Sequence, residues 1–201
     1  MEVITINNET FSRKSTELIS QIDFNPDIIV GILNGGGYVV NEIKNEKRFE
    51  HVQFESIKLQ RDNRLKNNYF TRLILKRLPY SITNWLRVYE SNKAKKAIET
   101  LNLENLSNSG INFKFNSNSK KTVDNILIID DAIDTGKTMF IAKKYLIKRF
   151  PEAKIKTAVI SWTIEKSIIV PDYYLFKNSL VRYPWSKDYK EKDFEKKSFS
   201  S

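Results

Sequence analysis

Ile126-Leu127-Ile128-Ile129-Asp130-Asp131-Ala132-Ile133-Asp134-Thr135-Gly136-Lys137-Thr138 is the stretch that decides the fold. Its four leading apolar residues read as a buried strand, too short and too β-branched for a helix. Asp130 and Asp131 close that strand, and Asp134 opens a tight Thr-Gly-Lys-Thr turn. A helical pattern follows, with Met139, Ala142, Leu146 and Phe150 along one side and Pro151 as its stop. Strand, acidic pair, small-residue loop and helix N-terminus together suit a phosphorylated, polyhydroxylated ligand. Loop amides and the helix dipole favour a phosphate, and the carboxylates favour sugar hydroxyls or a hard cation.

Two other readings compete. Gly136-Lys137-Thr138 invites a nucleoside-triphosphate P-loop, but that motif needs a glycine five positions before Gly136, where this chain has Asp131. An acidic side chain there would repel the phosphates. The second is an ordinary strand-to-helix turn capped by Thr135 or Asp134. A cap needs one carboxylate and has no use for three.

The segment Asp130–Thr138 with its preceding strand resembles the phosphoribosyl-pyrophosphate (PRPP) motif of the type I phosphoribosyltransferases. The resemblance implies that Asp130 and Asp131 contact the ribose hydroxyls of PRPP, directly or through Mg²⁺. It also implies that Asp134, Thr135, Gly136, Lys137 and Thr138 wrap the 5′-phosphate. In the purine-using branch the residue matching Asp134 assists proton transfer at the base, which makes Asp134 the catalytic candidate.

Upstream, Pro26 sets the chain into Ile28–Leu33, a buried strand running into Asn34-Gly35-Gly36-Gly37. Consecutive glycines after a strand let backbone approach a ligand and present amides to an anion. Beside the acidic motif, Gly31-Ile32-Leu33-Asn34-Gly35-Gly36 is similar to the pyrophosphate loop of the hypoxanthine-guanine and xanthine phosphoribosyltransferases. That places pyrophosphate at Leu33, Asn34, Gly35 and Gly36. Asn34 stands where family members often carry Arg or Lys; its amide can hydrogen-bond pyrophosphate but brings no charge. Near the other end, Pro171-Asp172-Tyr173-Tyr174 and Leu180-Val181-Arg182-Tyr183-Pro184-Trp185 resemble the C-terminal hood of the 6-oxopurine enzymes. The resemblance implies base contacts from Leu180 and Val181, and from Lys166 a donor to a purine 6-oxo group. Exposed Lys and core Tyr and Trp residues are the plainer reading of that region.

The remaining patterns are local. Thr10–Phe24 reads as an amphipathic helix with Ser12 as its N-cap, and Phe49–Leu59 and Ile155–Trp162 as strands. Between them, about 62–121 is expected to be a helical insertion. Ile82, Trp85, Leu86 and Tyr89 fall at i, i+3, i+4 and i+7, a stripe too apolar to leave in water. It is expected to pack on Leu73–Leu78 or on a second copy of the chain, as a subdomain or dimer contact; a substrate lid or partner-binding module is the alternative. Asn102–Lys121 reads as a mobile Asn/Ser-rich loop, and the charged tail, about 187–201, as fraying from Ser186.

Composition bounds the rest. With 201 residues, one α/β domain spanning 1–201 is expected: a parallel sheet flanked by helices, with a small C-terminal hood and a helical insertion. No cysteine is present, which excludes a thiol nucleophile, and the single histidine, His51, excludes a multi-histidine metal site. No run of eighteen apolar residues and no signal-peptide pattern occurs, so no membrane contact and a cytoplasmic location are expected. The formal charge of +10 suits a polyanion such as PRPP, and nucleic acid is possible but not favoured, because the basic residues are spread. The resulting expectation is a Mg²⁺-dependent phosphoribosyltransferase acting on a nucleobase, a 6-oxopurine, as a homodimer. The alternative is a non-catalytic PRPP- or nucleotide-binding regulator that contacts nucleic acid or protein through the insertion.

Overall fold

The computed structural model describes residues 1–59, 69–103, 106, 123–191 and 194. Its centre is a five-stranded parallel sheet of β2 (Ile28–Ile32), β3 (Gln53–Ile57), β4 (Asn125–Ile133), β5 (Lys154–Trp162) and β6 (Tyr173–Lys177), in the order β3-β2-β4-β5-β6. β2 is buried along its whole length, as a strand covered by helices on both faces must be. On one face lie α1 (Asn8–Ser20) and α2 (Gly35–Ile43), sharing a core of Phe11, Leu18, Ile29, Val39, Ile43 and Leu127. On the other lies α5 (Lys137–Arg149), whose Met139, Ala142 and Leu146 meet Ile128, Val30 and Val159.

From β2 the chain passes to β3 on one side, then places β4 on the other. The sheet therefore changes direction between β2 and β4, and such a point opens a crevice beyond the strands' carboxyl ends. Register makes this concrete: Gly31 pairs with Ile129, so Leu33–Gly36, which follow β2, and Asp130–Asp131, in the last part of β4, lie side by side.

A second, two-stranded parallel sheet joins β1 (Glu2–Thr5) to β7 (Ser179–Arg182), so the N-terminus closes the hood. The sequence reading did not anticipate β1. The α1 cap also differs from expectation: Asn7, not Ser12, caps the helix, its side-chain oxygen accepting from the Thr10 amide at 2.9 Å. Asn7 wins because Thr10–Ser12 already lie inside the turns it starts.

The insertion is helical where described, as α3 (Tyr69–Arg77) and α4 (Tyr80–Glu99), but α4 does not pack its apolar stripe on Leu73–Leu78: the stripe faces outward, with only Leu86 of it half-buried. The buried positions of α4 are Thr83 and Ser91, while Ile82, Trp85 and Tyr89 are 44%, 64% and 58% exposed. Leu73 and Ile74 of α3 are exposed too, so they do not bury the stripe, and Trp85 stacks on Tyr89 at 5.7 Å. The cause lies in the surface beneath α4, which is polar: Arg182 and Asp188 take hydrogen bonds from or give them to Thr83, Asn84 and Arg87. A helix resting on charged groups presents its polar side inward. The loop expected over Asn102–Lys121 falls almost wholly outside the described residues. The tail does not fray from Ser186, because Asp188 and Tyr189 are buried. Among the described residues no helix is long and apolar enough to cross a membrane.

Candidate active site

Asp130 and Asp131 stand at the carboxyl end of β4, facing the start of α2. The Gly36 amide donates to Asp130 Oδ1 at 3.1 Å, and the Asp131 amide donates to the same oxygen at 2.9 Å. Asp130 thus sits at the N-terminus of α2, where a free amide and the helix dipole favour negative charge. Its surroundings oppose that charge. Burial and the neighbouring Asp131 carboxylate push the Asp130 carboxyl well above the usual range. Burial raises Asp131 as well, opposed by hydrogen bonds from Asp130, Trp185 and its neighbour Ala132.

The glycine loop is pressed against this pair. A Cβ on Gly35 would collide with the Asp131 carboxylate, and one on Gly36 with the Ile129 carbonyl and, at 2.9 Å, with Asp130 Cα. Both positions accept only glycine, which gives the Gly-Gly signal a physical cause. The Leu33–Asn34 peptide is cis; Asn34 is exposed and Leu33 half-buried.

The second loop crosses from β4 to α5. Asp134 is exposed, Thr135 and Lys137 are half-buried, and Gly136 takes φ = 84°, a left-handed conformation that glycine alone adopts readily. A Cβ there would come within 2.9 Å of the Ile169 amide, so the segment after β5 packs directly on the loop. Thr135 carbonyl accepts from Ile168 at 3.0 Å, and Thr135 Oγ1 from the Lys137 amide at 3.4 Å. Lys166, exposed, lies two residues before Ile168, whose amide bonds to this loop. Leu180 and Val181 sit in β7 and are buried, 8% and 6% exposed; Val181 packs in the α1–α2 core.

Two residues reach the acidic pair that the sequence did not single out for it. Tyr183 hydroxyl donates to the Asp131 carbonyl at 2.7 Å, and Trp185 Nε1 donates to Asp131 Oδ2 at 3.1 Å. Burial, then the charges of Asp131, Asp130 and Asp134, holds the Tyr183 hydroxyl well above its ordinary value, so it stays a donor. Trp185 is fixed between the rings of Tyr38 and Tyr183, at 4.5 and 4.8 Å, with Phe11 edge-on at 4.9 Å. The Pro-Trp pair was the available signal for this contact, but nothing local in it points to Asp131.

Among the described residues no cluster of three or more His, Cys, Asp or Glu could cage a metal ion. Two adjacent carboxylates with raised affinity for positive charge do suit Mg²⁺, which takes most of its oxygens from substrate phosphates and water.

Comparison with known proteins agrees with this fold. No curated protein matches the chain by sequence. Among solved structures, a purine phosphoribosyltransferase from Pyrococcus horikoshii OT3 superposes with a TM-score of 0.59 at 16% identity, covering 98% of this chain and 100% of that one. A xanthine-guanine-hypoxanthine phosphoribosyltransferase from Helicobacter pylori gives 0.57 at 15% identity, covering 92% and 94%. A protein from Neisseria gonorrhoeae with bound ppGpp gives 0.50 at 12% identity, covering 92% and 89%. At these identities the likeness concerns the fold. The sequence profile of the phosphoribosyl transferase domain matches residues 5–180. That match spans both glycine-bearing loops and the whole five-stranded sheet, and by it the chain belongs to the type I phosphoribosyltransferase family.

Proposed function

We propose that this chain transfers phosphoribose from PRPP to a nucleobase, a 6-oxopurine, with release of pyrophosphate. One observation carries the reading: a glycine loop with no room for a Cβ lies against an acidic pair, Asp130 buried and Asp131 half-buried, in register across β2 and β4. Asp130 and Asp131 would fix the ribose hydroxyls and hold Mg²⁺. When bound, the ion offsets the negative charge that leaves with pyrophosphate. The carboxylates also favour the positive charge that grows on the sugar. Asp134, exposed at the loop mouth, would hold the base proton, and Thr135, Gly136, Lys137 and Thr138 the 5′-phosphate. Leu33, Asn34, Gly35 and Gly36 would receive pyrophosphate; Lys166, Leu180 and Val181 would line the base side. The reading includes a single domain over 1–201, a homodimer and a cytoplasmic location.

The test is pyrophosphate release from PRPP and Mg²⁺ with a panel of bases. Asp134→Asn is expected to cut turnover by about 10²-fold or more while leaving PRPP binding largely intact, since the amide keeps the shape but cannot take the proton. Equal, severe loss from Lys137→Ala would show the roles to be misassigned.

A second reading, the non-catalytic PRPP- or nucleotide-binding regulator, is favoured by two features of the first loop. The Gly36 amide is already given to Asp130, and exposed Asn34 brings no charge. The N. gonorrhoeae neighbour holds ppGpp, a ligand of the chemistry such a regulator takes. Ligand-dependent rise in melting temperature without pyrophosphate release from any base selects this reading.

A further inference from the structure

Arg182 is 1% exposed and sits in β7, the strand that leads into Tyr183-Pro184-Trp185. Every nitrogen of its guanidinium donates a hydrogen bond. Nε donates to Asp188 Oδ2 at 2.8 Å, Nη1 to Thr5 Oγ1 at 2.7 Å, and Nη2 to Thr83 Oγ1 at 3.0 Å and Asn84 Oδ1 at 2.6 Å. The Tyr80 ring lies 4.1 Å beneath it. Arg87 closes the cluster from α4, its Nε donating to Asp188 Oδ2 at 2.9 Å and its Nη1 to the Val181 carbonyl at 3.5 Å. Four of these partners (Tyr80, Thr83, Asn84, Arg87) belong to α4.

The same short segment then turns into the acidic pair. Arg182 and Asp188 bracket a turn in which the Tyr183 amide donates to Ser186 Oγ at 3.0 Å and the Ser186 amide to the Tyr183 carbonyl at 2.9 Å. From that turn Tyr183 and Trp185 reach the Asp131 carbonyl and carboxylate. One end of a seven-residue piece is thus held by the inserted helix and its middle holds Asp131.

We propose that the Arg87–Asp188–Arg182 cluster, through which helix α4 grips both ends of this segment, positions Asp131: it fixes the turn from which Trp185 holds that carboxylate, so the insertion governs ligand affinity at the acidic pair. The proposal rests on the reading that Asp131 meets the sugar or its cation. Physically, a buried guanidinium with five satisfied contacts has one arrangement, and it fixes the start of the Tyr183–Ser186 turn that carries Tyr183 and Trp185.

Arg87→Gln loosens the cluster from α4 without touching the acidic pair, because the Arg182–Asp188 bond remains. The first readout is the indole N–H resonance in a ¹⁵N–¹H spectrum of the full chain, with the Trp185 signal assigned by Trp185→Phe. Trp162, whose Nε1 donates to Ser167 Oγ at 2.9 Å, serves as the internal control for an intact fold. In Arg87→Gln the Trp185 signal is expected to shift while the Trp162 signal stays. The second readout is Mg²⁺-PRPP affinity by calorimetry, expected to fall about tenfold in Arg87→Gln and by a similar factor in Trp185→Phe. In the double variant the two losses should not multiply, because both act through one hydrogen bond. Arg87→Lys should recover part of the loss.

A Trp185 signal unmoved by Arg87→Gln overturns the proposal, as do losses that multiply. If the unsubstituted chain binds no Mg²⁺-PRPP, the functional reading fails, and the indole signal still decides whether α4 positions the Asp131 contact.

Discussion

Two clusters of buried charge lie on either side of Trp185, and they are electrostatic opposites. At Asp130–Asp131 two carboxylates sit together, and burial with mutual repulsion raises the Asp130 carboxyl well above its ordinary value. At Asp188 burial also acts upward, but the hydrogen bonds and charges of Arg87, then Arg182, outweigh it and hold the carboxyl at about 2. Both clusters are desolvated. Only the second carries its own counter-charge. One buried acid is met by two guanidiniums, while the neighbouring pair has no cation among its hydrogen-bond partners, as the proposed role of holding a sugar or cation that arrives from outside requires.

The contrast is broken most severely from the Asp188 side. Arg182→Met removes the guanidinium that Thr5, Thr83, Asn84 and Asp188 all accept from. Removing one partner of a buried charge pair is expected to cost about 3–5 kcal/mol, measured by urea denaturation with far-ultraviolet dichroism. A loss below about 1 kcal/mol would mean the cluster is wetter than its burial indicates.

Acid probes the same contrast without mutation. Asp188 has its folded-state carboxyl depressed from 3.8 to about 2, so it contributes stability above 3.8 that is lost as pH falls through 2. The shift corresponds to about 2 kcal/mol. The Asp130 carboxyl is displaced upward, so its burden on the folded state is relieved as pH drops toward 3.8. The ligand-free chain should therefore hold its melting temperature on mild acidification and lose it below about pH 4. Asp188→Asn should remove the lower limb of that profile.

Asp130→Asn is expected to raise stability of the ligand-free chain at pH 7 by about 1 kcal/mol, a melting shift of about 2–4 °C. The amide oxygen can still accept from Gly36 and Asp131, while the repulsion from Asp131 disappears. Mg²⁺-PRPP binding should weaken in the same variant, measured by calorimetry. A drop in melting temperature would instead mean that the helix dipole and the two amides already compensate the charge.

What was legible in the residues follows the range of the forces involved. Asp130–Thr138 and Asn34–Gly37 were readable because their constraints are local: a strand that must be buried, a turn that needs φ = 84° at Gly136, two glycines with no room for a Cβ. That the sheet is parallel followed from the helical patterns between the strands, whereas its strand order did not. β1 was not readable, since its partner β7 lies at the other end of the chain and four residues carry little periodicity. Nor was the contact of Trp185 with Asp131, 54 positions apart. Arg182 offered a clue, an arginine inside the apolar run Leu180–Trp185, which only a buried counter-charge can explain.

Helix α4 shows why periodicity alone misplaces a face. The Ile82–Tyr89 stripe establishes that one side of α4 is apolar, and the usual inference buries that side. The inference assumes that the surface beneath is apolar as well. Here it consists of Arg182 and Asp188, so Thr83, Asn84 and Arg87 turn inward and Trp85 turns out at 64% exposure. The smallest expected effect follows. Trp85→Ala should change the stability of the protomer by no more than about 0.5 kcal/mol, far from the 3–5 kcal/mol of an aromatic core truncation. Helix content should hold, because alanine is the better helix former and the loss is confined to the stack with Tyr89. Chemical denaturation at several protein concentrations checks this. A loss that grows with concentration, accompanied by a halved mass in light scattering, would show that a second copy covers the stripe in solution. A loss of several kcal/mol at every concentration would restore the inward-facing α4 that the periodicity alone suggested.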